Sequence, residues 1–437
     1  MPKRVYIETY GCQMNVADSE LMFGVLQGAG YERIDTPDDA DLILVNTCAV
    51  RDNAEQRVVG RVGELQRHKR PGDVLGVVGC MAQRLGPQLL ESAPKVDLVA
   101  GPDVYRDLPA LVAESARGSR VSETDFRSWE HYEDVPPVRV PGPTQFVTVQ
   151  RGCDFRCTFC IVPYTRGPER SRTLQDVVRE VRTLAEQGTS EVTLLGQTVN
   201  SYRNGDHDFA DLLRAVGAVD GIRRLRFTSP YPTEFTPRVI DAMATTDAVC
   251  EHVHLPAQSG SNAVLKRMLR RYTREQYLGV VEALRRAIPG ITFSTDIIVG
   301  FPGETEAQFQ ETLSLVSEAR FDDAYTFKYS PRDGTPATRM KEALDDDAAS
   351  ERLARLIAAV RNQARTRNLG RVGTTHEVLV ERPARRGGML GRTRTNALVL
   401  LPLTEVDVGR YLTVRLSGST GSTFTGTIVH ERGLAVL

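Results

Sequence analysis

The segment Thr144-Gln145-Phe146-Val147-Thr148-Val149-Gln150-Arg151-Gly152-Cys153-Asp154-Phe155-Arg156-Cys157-Thr158-Phe159-Cys160 joins a strand-like run at 145–149 to three cysteines within eight residues. Three thiolates this close can wrap one metal centre, and thiolates select soft centres, zinc or iron–sulfur. A structural zinc takes four protein ligands. No fourth Cys or His lies nearby, the next candidate being His207, so a zinc knuckle would have to be completed from a distance. Three ligands on a four-iron cluster instead leave one iron open, as a catalytic centre requires.

Outward from this segment the chain repeats a strand–helix pattern. Candidate strands are 145–149, 191–195, 223–228, 249–255, 291–299 and 324–329, and helical patterns at 173–187, 207–219, 262–270, 274–288 and 305–319 fall between them. Six such units predict a partial or open (β/α)6 barrel over 143–370, with its chemistry at the carboxyl ends of the strands. Residues 1–117 predict a doubly wound parallel α/β domain. Its strands are Val5-Tyr6-Ile7, Leu42-Ile43-Leu44-Val45, Val74-Leu75-Gly76-Val77-Val78 and Val96-Asp97-Leu98-Val99, with helical patterns from Asp18 to Gln27 and Asn53 to Lys69. Cys12, Cys48 and Cys80 each follow one of these strands, 36 and 32 residues apart, and a parallel topology brings them to one sheet edge. Residues 118–142 are acidic and aperiodic, end in Pro136-Pro137 and Pro141-Gly142-Pro143, and read as a linker. From 371 to 437, short strands alternate with Gly, Thr and Ser turns, predicting a small all-β barrel.

Composition bounds the function. Lys+Arg 55 against Asp+Glu 56 in 437 residues excludes a grip on nucleic acid by global basicity, so any polyanion site is a local patch. No apolar run approaches the length of a membrane span, and no membrane contact is expected. The start, Met1-Pro2-Lys3-Arg4-Val5-Tyr6-Ile7, enters a strand without a signal-peptide core, giving the expectation of a cytoplasmic protein. Seven cysteines, odd and sparse, argue against a disulfide framework. Cys250 has no ligand spacing and reads as packing. His252 and His254 share one face of the same strand and read as polar packing, with substrate contact the alternative.

Three thiolates in this spacing after the first barrel strand resemble the radical S-adenosylmethionine (SAM) superfamily. Thr9-Tyr10-Gly11-Cys12-Gln13-Met14-Asn15, Asn46-Thr47-Cys48-Ala49-Val50-Arg51 and Gly79-Cys80-Met81-Ala82-Gln83-Arg84 resemble the amino-terminal domain of its methylthiotransferases. Cys160-Ile161-Val162-Pro163-Tyr164-Thr165-Arg166-Gly167, His254-Leu255-Pro256-Ala257-Gln258-Ser259-Gly260-Ser261 and Asp296-Ile297-Ile298-Val299-Gly300-Phe301-Pro302-Gly303-Glu304-Thr305 resemble the tRNA branch. The carboxyl-terminal barrel, through its strand pattern, position and Gly391-Arg392-Thr393, is similar to a TRAM domain, an RNA-binding module.

The resemblance implies two 4Fe–4S clusters, one on Cys153, Cys157 and Cys160 and one on Cys12, Cys48 and Cys80, with Phe159 beside the adenine of SAM. One SAM is cleaved to a radical, and another methylates the sulfur to be inserted. The implied reaction places a methylthio group at carbon 2 of N(6)-isopentenyl adenosine 37 in a tRNA anticodon loop, in a monomer served by a flavodoxin- or ferredoxin-type electron donor. Alternatives are threonylcarbamoyl adenosine or a ribosomal protein as substrate and, in another class, a non-enzymatic metal-containing RNA-binding protein. A helix follows each amino-terminal cysteine loop, and helix amino-termini favour thiolates; three buried structural cysteines are the alternative.

For SAM, Gly196 permits close backbone approach and Gln197 and Asn200 offer amides at the end of the second barrel strand. Gln258, Ser259 and Ser261 end the fourth strand, and Gly300 ends the fifth. For RNA, nine Arg against two Glu between Arg361 and Arg394 form a basic run that includes Arg385, Arg386, Arg392 and Arg394. Lys266, Arg267, Arg270, Arg271 and Arg274 form a second run, and Arg166, Arg170 and Arg172 a third. The planar guanidinium fork suits phosphate.

Overall fold

The computed structural model describes residues 2–49, 52–403 and 407–429, with the side chains of 52–57 left aside. Val50 and Arg51 of the second cysteine motif, Met1 and the last residues of the 371–437 region lie outside them. The amino-terminal sheet has six parallel strands, β1 (Lys3–Thr9), β2 (Tyr31–Arg33), β3 (Leu42–Thr47), β4 (Val74–Gly79), β5 (Leu98–Ala100) and β6 (Val121–Glu123), in the order β2-β1-β3-β4-β5-β6. The central strands β3 and β4 are buried along their whole length, as a parallel sheet covered on both faces demands. Helix α1 (Gln13–Gly28) packs one face through Leu21, Met22 and Leu26, and α2 (Asp52–Leu65) packs the other through Val58, Val62 and Leu65.

The stretch read as a linker is largely built into this domain. Residues 121–123 pair with β5 as a sixth strand. Tyr132 is buried in the domain core, its hydroxyl donating to the Pro102 carbonyl at 3.0 Å and accepting from Tyr105 N at 3.1 Å. Buried Glu130 pairs with Arg106 at 2.8 Å. A three-residue edge strand carries no periodicity that a sequence reading can detect.

The second layer is an open barrel of six parallel strands, β7 (Thr144–Thr148), β8 (Glu191–Leu195), β9 (Arg224–Phe227), β10 (His252–His254), β11 (Thr292–Val299) and β12 (Asp323–Lys328). They form two three-stranded halves, joined by the parallel bridge Leu225↔Val249. Strands β7 and β12 do not pair, so the barrel is open along one side, as six units predict. Alternate residues (Val147, Val192, Leu194, Phe293, Ile297, Val299) pack under the outer helices in one large core. Besides the single turn Val162–Thr165, two helices go beyond those read from sequence, α3 (Pro237–Thr245) and the 26-residue α4 (Asp346–Arg371). The latter runs beside β12, where Lys328 reaches Asp346 at 2.6 Å.

The third unit is a closed five-stranded barrel, β13 (Thr375–Pro383), β14 (Met389–Thr393), β15 (Leu398–Leu401), β16 (Tyr411–Ser419) and β17 (Thr423–Ile428), ordered β13-β14-β15-β17-β16. Its β14–β15 turn plugs the amino-terminal end of the open barrel. Arg224 donates to the Arg392 carbonyl at 2.7 Å, Arg226 to those of Thr393 and Arg394 at 2.9 and 3.0 Å, and Thr292 to that of Thr395 at 2.9 Å. Among the described residues no helix is long and apolar enough to cross a membrane.

Candidate active site

Strands β1, β3 and β4 lie side by side, so the residues after them share one edge at the carboxyl end of the sheet. Cys12 caps α1, Cys48 follows β3 and Cys80 follows β4. Two asparagines rivet the loops together. Asn15 Nδ2 donates to Asn46 Oδ1 and to the Thr47 carbonyl, both at 3.2 Å, and Asn46 Nδ2 donates to the Asn15 carbonyl at 2.7 Å. Gly79 is required here, because its φ is +95° and a Cβ would sit 2.5 Å from Asn46 Oδ1. The Cys12 thiol is lowered to about 5 by a hydrogen bond with Cys48, against the effect of burial, with help from Arg166 and the Asn15 and Met14 amides at the start of α1. The helix start therefore contributes at Cys12, behind Cys48 and Arg166. The helix-terminus expectation fails for Cys80, whose thiol burial pushes up despite nearby Arg166.

The second triad stands on the loop after β7. Cys153 Sγ and Thr198 Oγ1 share a hydrogen bond at 3.3 Å, and Arg270 Nη1 donates to Cys157 Sγ at 3.4 Å. Burial raises the Cys153 thiol and pushes Cys160 up to about 12. Such thiols give up their protons to a metal. The two sites adjoin, with Ala49, Cys80 and Ile161 in one buried cluster, so the residue after Cys160 packs in the same cluster as a cysteine of the other triad.

Both triads fit an iron–sulfur cluster. Each has a guanidinium beside its thiols, Arg166 and Arg270 respectively, which suits an anionic, sulfur-ligated group. Arg166 Nη1 is also buried with no hydrogen-bond partner, a donor in want of an acceptor. Among the described residues no three His, Cys, Asp or Glu side chains meet as a single metal ion would require.

The arginine readings need correction. Arg166 is buried and pairs with fully buried Asp18 of α1 at 2.6 Å, and Arg151 joins the same carboxylate at 2.9 Å. Burial alone would raise the Asp18 carboxyl, but the two guanidiniums outweigh it and hold it below its ordinary value. Arg170 pairs with buried Asp103 at 2.8 Å. Arg172 binds Asp176, Glu180 (2.6 Å) and the Thr148 carbonyl (2.8 Å). These residues hold domains and loops together, with Arg166 and Arg170 buried and Arg172 partly so. Arg392 pairs with Glu381 at 2.9 Å and Arg394 with Glu251 at 2.8 Å, in the plug between barrels. Arg385 and Arg386 stand exposed at the β13–β14 hairpin, as do Arg361, Arg365 and Arg382 of the same run and Lys266 and Arg271 of the second.

Four of the residues read for SAM meet protein neighbours instead. The Asn200 amide is used by the Tyr231 backbone, accepting from its N at 2.7 Å and donating to its carbonyl at 3.0 Å. Ser259 Oγ lies 3.3 Å from Thr312 Oγ1. Gly300 turns at φ +70° against Ala349 of α4. Gly196 approaches Gln150 and Val199. Gln197 Oε1 and Ser261 Oγ, by contrast, are buried without partners, and Gln258 holds a left-handed φ of 65° at the end of the fourth strand. Phe159 packs edge-on to Phe301 at 6.4 Å. Sequence reasoning missed Thr198, Asp18 and the asparagine pair. The asparagines sit in the quoted cysteine motifs, whereas nothing local marks Thr198 or Asp18. Cys250 is buried, as read.

The fold and the paired triads define a radical SAM enzyme carrying an amino-terminal cluster domain and a TRAM barrel. The description "Uncharacterized protein family UPF0004" matches residues 4–101, the Radical SAM superfamily 147–316 and the TRAM domain 370–429. The tRNA-2-methylthio-N(6)-dimethylallyladenosine synthase of Citrifermentans bemidjiense is 46% identical over 98% of this chain and 99% of its own. That of Moorella thermoacetica is 45% identical over 95% and 96%. Among solved structures, the radical S-adenosylmethionine methyltransferase TsrM of Kitasatospora setae shares the fold at a TM-score of 0.61, 17% identity and 77% coverage of both chains. The chain belongs to the family of tRNA-2-methylthio-N(6)-dimethylallyladenosine synthases.

Proposed function

We propose that this chain converts N(6)-isopentenyl adenosine 37 of tRNA to its 2-methylthio derivative by radical SAM chemistry. The observation that carries the reading is the buried cluster of Ala49, Cys80 and Ile161, which supports two three-cysteine sets lying close together across the domain joint. The carbon 2 C–H bond of the base carries no acidic proton, so the difficult chemistry belongs to the cofactors: 4Fe–4S clusters on Cys153, Cys157 and Cys160 and on Cys12, Cys48 and Cys80, with SAM. The chain's own residues position and insulate. Arg270 and Thr198 hold the thiols of one triad, Arg166 sets a positive charge at the other, and Asp18 locks the two domains. Phe159, Gln197, Gln258 and Ser261 are the residues best placed to receive SAM. A flavodoxin- or ferredoxin-type protein supplies electrons, and the working unit is a cytoplasmic monomer.

Deleting the gene is expected to remove 2-methylthio-N(6)-isopentenyl adenosine from bulk tRNA and leave N(6)-isopentenyl adenosine in its place, read by nucleoside mass spectrometry. Intact 2-methylthio-N(6)-isopentenyl adenosine would move the substrate to threonylcarbamoyl adenosine or a ribosomal protein. For RNA docking, Arg385→Ala with Arg386→Ala is expected to weaken tRNA binding and flatten its salt dependence by about one to two units of log–log slope. Arg394→Ala, which loses an interdomain pair, leaves that slope unchanged.

A further inference from the structure

The inner face of the open barrel's second half carries an unexplained apolar surface. Parallel register places His254 beside Ser294, Asp296 beside Tyr325 and Ile298 beside Phe327. The opposite face of β11 (Phe293, Thr295, Ile297 and Val299) is fully buried, whereas Tyr325 and Phe327 are 56% and 42% exposed. Lys328, of opposite parity, points to Asp346 of α4 on the outside. The two exposed rings therefore face the barrel interior beside its open edge.

This wall adjoins the second cysteine loop. Ile298, in register with Phe327, packs in one cluster with Phe159 of the second cysteine loop. The polar end of the wall is fixed. His254 Nδ1 lies 2.9 Å from Ser294 Oγ and its Nε2 lies 3.4 Å from Asp296, while its ring meets Tyr325 edge-on at 5.6 Å. A base held beside the second triad would thus have an apolar shelf next to it and, adjoining the shelf, a polar cluster anchored on its own strands.

We propose that Tyr325 and Phe327 form the subsite for the branched five-carbon group on N6 of the substrate adenosine. This rests on the substrate reading above and assigns residues to its selectivity. Two exposed rings gain by covering a hydrocarbon. A charged or strongly polar substituent laid on the same rings loses its water without recovering hydrogen bonds, so the subsite discriminates against it.

The test uses full-length chain and synthetic anticodon stem-loops carrying N(6)-dimethylallyl adenosine, N(6)-threonylcarbamoyl adenosine or adenosine, and it reads equilibrium binding without turnover. The wild-type chain is expected to prefer the dimethylallyl RNA. Tyr325→Ala with Phe327→Ala is expected to cut that preference about tenfold or more by weakening only the dimethylallyl complex, and Phe327→Leu retains most of it, which separates loss of the shelf from loss of folding. A preference unchanged in the double variant overturns the subsite. A wild-type chain that shows no preference overturns the substrate reading itself.

Discussion

The variant with Cys12, Cys48 and Cys80 all replaced by Ala will still cleave SAM but will make no methylthio product. The two functions separate because the triads sit on different domains. Cys153, Cys157 and Cys160 keep Thr198 and Arg270 as neighbours whatever happens at the amino-terminal edge. The replaced thiols are held by the Asn15–Asn46 rivet, which survives the change, so the domain keeps its fold. Product falls to background while 5′-deoxyadenosine still forms, both read by mass spectrometry. Equal loss of both activities would mean that the triads do not act separately.

Asp18→Ala is expected to be the most damaging single change away from the cysteines. It leaves the guanidiniums of Arg166 and Arg151 buried without their carboxylate. Breaking one side of a buried ion pair costs about 3–5 kcal/mol, because the remaining charge has no partner and no water. Here the loss falls on the joint between the cluster domain and the barrel. Hydrogen exchange should therefore rise in α1 and in the loop after Cys160 before it rises in the sheet cores. The companion change Asp39→Ala removes a surface carboxylate whose pairs are long and largely exposed and is expected to have little effect. Wild-type stability in Asp18→Ala would show that the joint does not depend on this pair.

Much of the fold was legible because its signals are local. Buried parallel strands read as unbroken apolar runs, as Leu42-Ile43-Leu44-Val45 does within Leu42–Thr47. Glu191–Leu195 was readable at its observed bounds, and cysteines after strands mark the crevice in a parallel architecture. The arginines were not legible, for a physical reason. A guanidinium serves a phosphate or a buried carboxylate equally well, and the choice depends on partners remote in sequence. Arg166 meets Asp18 across 148 residues and Arg394 meets Glu251 across 143. The same limit applies to Asn200, whose amide suited a ligand until the Tyr231 backbone was seen to occupy it. Residues 121–123 were unreadable as a strand because three residues at a sheet edge have no period.

The claim on which the account rests is that each triad of thiols holds its own four-iron cluster with one corner left free. Iron and sulfide counting after anaerobic reconstitution tests it most directly. About eight irons per chain are predicted, falling to about four when Cys153, Cys157 and Cys160 are all replaced by Ala, and to about four again for Cys12, Cys48 and Cys80. An iron content that either triple replacement leaves unchanged would contradict it.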